Sequence, residues 1–341
     1  MSAAEVGLSS RARGVGTRLL ARQVLESLAD AGDLSSLARG LARRGTALEP
    51  VGDAPDIAAV ERAARRTAAA HLRTLHRWQE RRPGVLDAFV AAQDHRALRA
   101  LLRGAVQSAP AAARVAGLIP TPSLPERALT ELARQASPAA VVALLAVLRH
   151  ADAARLAPIV ARAQPDLFAI EVALGQGFAD RARAAARLGD RTLRTWVSDL
   201  VDLGNAQTAL LLAGGPRDID PVAAFVAGGT MLSRDAFVAA ASSSSRVAAM
   251  GTLAPAVAGT RLAAAFPVVA DEVAAIERTF LEQTLARLAV EARLNPLGSA
   301  PLLGVLLRIE AQSRDLRALA WGAVLGTPAV MRRQQLVTPW R

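Results

Sequence analysis

Four histidines are the residues best suited to acid–base or metal chemistry: His71, His76, His95 and His150. None stands in HExxH or another close metal-ligand spacing. His71 falls on an apolar helical stripe and reads as a core or boundary residue, whereas His76 and His95 lie among arginines and read as surface. The chain has no cysteine, which removes disulfides, zinc–thiolate sites and thiol nucleophiles and fits a reducing compartment. It also has no lysine, so a GxxxxGK[ST] phosphate loop is impossible. Gly175-Gln176-Gly177 is too short, and wrongly placed, for a dinucleotide turn, while Gly214-Gly215 and Gly228-Gly229 read as helix termini and turns. The carboxylate pairs Asp271-Glu272 and Asp199 with Asp202 occupy polar helix positions, where nothing implies the burial that tunes an acid and a base. No serine or threonine sits in a nucleophile elbow. The expectation is a chain with no catalytic site, no bound metal and no cofactor.

The elements that would carry any function are helices. Hydrophobic residues make up 52% of the 341 and aromatics only 3%, much of the apolar share being alanine, the strongest helix former. Amphipathic runs between Gly/Pro punctuation predict helices over Ser9–Ala31, Leu34–Arg44, Asp56–Arg82, Pro83–Gln107, Ser123–Gln135, Pro138–His150 and Ala153–Ala163. Further on they predict Phe178–Leu188, Thr192–Ala213, Ser233–Ala241, Phe266–Leu294 and Pro301–Leu325. Loops are expected at Gly45–Pro55, Leu118–Pro125, Gly214–Pro221 and Asn295–Ser299, with Ser242–Ser245 as a turn. The longest uncharged stretches run 14 residues, as between Arg134 and Arg149, too short to span a bilayer. The N-terminal residues lack a continuous apolar segment, so no secretory leader is expected.

All 41 basic residues are arginine and the net charge is +11. Over half of that excess lies between Glu61 and Arg103, where ten Arg face Glu61, Glu80, Asp87 and Asp94. Arg62, Arg66, Arg73 and Arg77 share one helical face, opposite Ile57, Val60, Ala64, His71, Leu75 and Trp78. That face is a candidate partner interface, although a solvated polar surface explains the same pattern. The stacking aromatics and motifs of nucleic-acid readers are missing, so no nucleic acid is expected as a partner.

A weak repeat is the most informative feature. DHRALRALLRG, from Asp94, aligns without gaps on QSRDLRALAWG, from Gln312, sharing Leu98–Leu101 with Leu316–Leu319 and closing on Gly104 and Gly322. DLGNAQTALLLAG, from Asp202, lies between them with the same small and apolar positions. The equivalent positions Ala97, Asn205 and Asp315 are 108 and 110 residues apart, and each copy follows a long amphipathic helix. One helical module used three times gives such spacing, with Asp94, Leu98, Asp202, Asn205, Asp315 and Leu316 as its structural signature.

At these residues the chain resembles the C-type subunits of V- and A-type rotary ATPases, the family that includes the eukaryotic membrane-sector d-type protein. The resemblance covers nearly the whole chain in order. It runs from the Arg-rich start at Ser9–Leu41, through the three module copies, to the NPLG turn at Asn295–Gly298. There are departures: tyrosine is absent, and the signature asparagine is kept only as Asn205. The resemblance implies an all-α fold of three similar domains, set here as 1–117, 118–220 and 221–341, arranged with pseudo-threefold symmetry as a funnel. It implies a non-catalytic central-stalk adaptor, peripheral on the cytoplasmic face of the membrane. Its partners would be the central shaft subunits (the coiled-coil D and its associated F) and the membrane c-ring. Two other readings are open from the residues alone: a helical-repeat scaffold with an unrelated partner, or a basic nucleic-acid-binding helical protein.

Overall fold

The computed structural model describes residues 3–45, 55–79, 84–162, 166–215, 220–266 and 273–339. Among them are seventeen α-helices, a single 3-10 turn and no strand, the all-α class that the composition predicts. In chain order the helices are α1 (Ala3–Gly16), α2 (Arg22–Ala29), α3 (Leu34–Ala42), α4 (Ile57–His76), α5 (Val85–Val106), α6 (Ala111–Val115), α7 (Glu126–Ala133), α8 (Pro138–Val147) and α9 (Ala153–Val160). They continue with α10 (Leu167–Ala186), α11 (Arg191–Leu212), α12 (Pro221–Ala224), α13 (Arg234–Ala241) and α14 (Arg246–Ala256). After the 3-10 turn Ala263–Ala265 come α15 (Val273–Leu294), α16 (Ala300–Val324) and α17 (Ala329–Gln334).

Side-chain oxygens set many of the starts. Asp33, Asp56 and Asp190 accept the free N–H groups of Ser36, Ala59 and Leu193, and Ser137, Ser233 and Ser245 do the same for Ala140, Ala236 and Ala248. Several expected boundaries move. The single helix expected over Ser9–Ala31 is two, because Gly14 and Gly16 weaken propagation and the Leu20 N–H donates to Gln312 Oε1 at 2.6 Å. α10 begins eleven residues before the expected Phe178. Gly175 and Gly177 disguised its first half, and Gly177 is glycine for packing: an added Cβ would lie 2.2 Å from Asp152 Oδ1. α14 and the short α6, α12 and α17 were not anticipated; each of the short ones starts at or just after a proline. Most of the Gly45–Pro55 loop, part of Gly214–Pro221 and the Asp271-Glu272 pair lie outside the described residues.

Two compact units emerge. Unit 1 comprises residues 1–82, 109–134 and 284–341; unit 2 comprises 83–108 and 135–283. In unit 1, Leu25, Leu28, Leu37, Leu41 and Val60 meet Leu316, Leu319 and Leu336, so the two ends of the chain share one core. α4 and α16 pack antiparallel. Glu61, near the start of α4, binds Arg317 and Trp321 near the end of α16 at 2.9 Å each. At the other end Arg18 lies beside His71, while nearby Gly16 abuts Val305 and accepts from Arg308. In unit 2, α5 and α10 are likewise antiparallel: His95 stacks on Phe178 at 5.2 Å, and Arg99 and Arg103 both bind Glu171 at 2.5 and 2.8 Å. The second core of that unit joins Leu203, Ala206 and Leu210 of α11 to Phe237, Leu253, Ile276 and Phe280.

Candidate interaction surfaces and buried anchors

The residues of the expected repeat signature lie on the long helices α5, α11 and α16. On α11 the Asp202 carboxylate is fully buried and accepts the backbone N–H groups of Thr230, Met231 and Leu232 at 2.7, 2.9 and 3.2 Å. One turn on, Asn205 accepts from Val226 N–H at 3.0 Å and donates to its carbonyl at 2.8 Å. On α16 the buried Asp315 accepts from Val337 at 2.7 Å and Thr338 at 3.0 Å. Asn205 and Asp315 thus each tie down the segment after the next short helix, 21 and 22 residues along. Leu98 and Leu316 are closed into core at 0% and 1% exposure.

Burial raises the Asp202 and Asp315 carboxyls above the ordinary value, and their backbone donors pull the other way. The expectation that Asp199 and Asp202 are polar-face residues is therefore wrong; both are buried, and Asp199 is clamped by Arg261 through Nε and Nη2 at 2.6–3.1 Å. Gly229 explains part of this packing. A Cβ there would sit 1.8 Å from Asp202 Oδ1, so the glycine reserves space for the carboxylate.

Asp94 enters a network that the sequence did not suggest. It is buried on α5, with Oδ2 3.6 Å from His150 Nε2, and His150 Nδ1 accepts from the Asp152 N–H at 3.3 Å. Asp152 in turn binds Arg181 of α10. The His150 and Asp94 side chains are 5% exposed and that of Asp152 2%, which closes the group to a substrate and makes it a structural polar core. His95, expected at the surface, packs half-buried against Phe178; burial, then Arg99 and Arg181, push its imidazole down to about 3. His71 is half-buried and lowered by burial and by Arg18, while His76 is exposed. Among the described residues no His/Asp/Glu group could hold a metal ion.

The arginine face of α4 is only partly open. Arg66 Nε binds both Glu126 oxygens at 3.0–3.1 Å, Arg62 is half-buried, and Arg73 and Arg77 are exposed. Arg65 points inward, donating to the Val115 carbonyl at 3.2 Å. Trp78, expected on the apolar stripe, is 52% exposed because the helix ends at His76 and the indole lies beneath Arg11, whose guanidinium carbon is 3.5 Å from the ring centroid.

No helix among the described residues is long and apolar enough to cross a membrane. Among curated proteins, none matches the chain. Residues 8–334, nearly its whole length, match the family of the ATP synthase (C/AC39) subunit, and the chain belongs to that family.

Proposed function

We propose that this chain is the non-catalytic central-stalk adaptor of a V/A-type rotary ATPase, joining the coiled-coil shaft (D with F) to the membrane c-ring. It would work at the cytoplasmic face, for ATP-driven or ATP-synthesising movement of protons or sodium ions. The family match over residues 8–334 carries the reading. Three similar domains around a pseudo-threefold axis, closing as a funnel, are part of it. The order of elements supports them: three short helical segments, two long helices and one short helix occur in turn as α1–α6, α7–α12 and α13–α17 with the 3-10 turn.

Within each unit the long helices pair. α10 packs on α5, α15 meets α11 through Ile276, Phe280 and the Gln207–Glu277 bond of 2.9 Å, and α4 packs on α16. Each of these pairs joins the first long helix of one set to the second long helix of another. Torque transfer requires a stiff body, which close-packed helices supply. The face bearing Arg62, Arg66, Arg73 and Arg77 is a proposed contact surface, and reversing Arg66 and Arg73 together should weaken assembly.

The decisive experiment is an affinity capture with tagged chain from its native membranes. Recovery of shaft proteins and c-ring is expected, and recovery of neither would end the reading. In cells lacking the chain, ATP hydrolysis by the detached head should survive while ion pumping is lost.

A further inference from the structure

The two ends of the antiparallel α4/α16 pair in unit 1 differ in chemistry. Glu61 and Trp78 lie 17 residues apart, so the ends are about 25 Å apart at the helical rise. At one end lie the exposed Trp78 and, at the close of α15 and in the turn after it, Leu294 and Leu297, which are 81% and 53% exposed. α1 bridges the two: Arg11 covers the Trp78 ring, and Arg13 donates to the Pro296 carbonyl at 3.0 Å. Arg77 and Arg293 are exposed at the same end, each directly preceding an exposed large apolar residue. Arg11, Arg13, Arg77 and Arg293 have no ion pair among the described residues.

The opposite end is apolar, with Leu325, Val330 and Met331 at 71%, 61% and 49% exposure. Its arginines are committed: Arg317 to Glu61, Arg332 to the Ala31 carbonyl and Arg333 to Asp30.

We propose that the Arg–Trp end of unit 1 docks an acidic helical tip, which on the adaptor reading above is the lower end of the shaft. Four guanidinium groups with no ion pair among the described residues, set around exposed apolar side chains, complement a surface of carboxylates and leucines. Arginine recognises carboxylates through directional paired bonds, and aromatic and arginine side chains dominate interface energies. The surface is also pre-organised. Arg11 is fixed on Trp78 and Arg13 on Pro296, which lowers the ordering cost of binding. A protein tip fits better than a lipid surface, because a Trp already roofed by a guanidinium does not offer its free face to a headgroup layer.

The test measures affinity of the purified full chain for the purified shaft heterodimer, at low and moderate salt. The double reversal Arg77→Glu with Arg293→Glu should weaken binding by about 100-fold or more. Trp78→Ala should cost on the order of 10-fold. The opposite-end double variant Leu325→Ser with Met331→Ser should stay within about twofold, and all of these side chains are exposed enough to spare the fold. Tight wild-type binding that the reversal and Trp78→Ala leave unchanged would overturn this surface while leaving the adaptor reading intact. A wild-type chain with no affinity for the shaft would overturn both. Sedimentation with phosphatidylserine vesicles that the reversal abolishes, with shaft affinity unaltered, would reassign the surface to lipid and also overturn the proposal.

Discussion

Asp202 and Gly229 should be energetically one unit. The carboxylate collects three N–H donors from Thr230, Met231 and Leu232, and the Leu232 bond is buried while the other two are partly so. A buried donor left without its acceptor costs about 1–3 kcal/mol, and water recovers part of that at partly exposed positions. Asp202→Ala should therefore cost about 3 kcal/mol, after allowing for the relief of a buried charge. For Gly229→Ala, the three atoms nearest the added Cβ all belong to Asp202, at 1.8, 2.3 and 2.8 Å. The carboxylate cannot retreat without giving up its donors, so this change should also cost about 3 kcal/mol. In the double variant the clashing atoms are gone, and the total should stay near about 3 kcal/mol in place of about 6. Denaturant unfolding of the four proteins measures the coupling, and amide exchange at Thr230–Leu232 locates it. A coupling below about 1 kcal/mol would mean that the pinned carboxylate is not what holds this turn.

Three further outcomes are expected. His95 has a native value of about 3, well below that of an unfolded histidine, so the fold favours the neutral ring. Its contribution is complete above about pH 6.5 and falls by up to about 1.4 kcal/mol per unit as pH drops toward 3; His95→Phe should flatten the acid side of the stability profile. Leu98→Ala and Leu316→Ala, at 0% and 1% exposure, should each cost about 2–5 kcal/mol in denaturant unfolding, and a loss below about 1 would contradict core placement. Arg66→Ala removes an ion pair whose members are 44% and 33% exposed, so the unfolding midpoint should move by no more than about 1 kcal/mol equivalent.

Much of the helical architecture was legible in the chain itself. Alanine-rich amphipathic runs and local caps depend on neighbours three or four residues away, which is why α3, α5, α11, α13 and α16 lie close to their expected bounds. α10 was half missed because Gly175 and Gly177 lower helix propensity, and α14 because its alanine, glycine and proline carry no clear amphipathic period. The spacing of the similar segments points to Asp202, Asn205 and Asp315. Their environment was not legible. An aspartate on a helix reads as solvated until the chain brings back Thr230–Leu232 or Val337 and Thr338 to meet it.

Sequence by itself determined the class of fold, the helix stock, the absence of recognisable catalytic motifs and the family, because these rest on composition, local periodicity and motif order. Tertiary structure decided which charges are buried, which are paired and which are open. Arg65 turns inward and Arg66 finds Glu126, 60 residues on, while Trp78 emerges under Arg11. A side chain's ionisation and exposure depend on what packs against it in space, and those neighbours lie tens to hundreds of residues away along the chain.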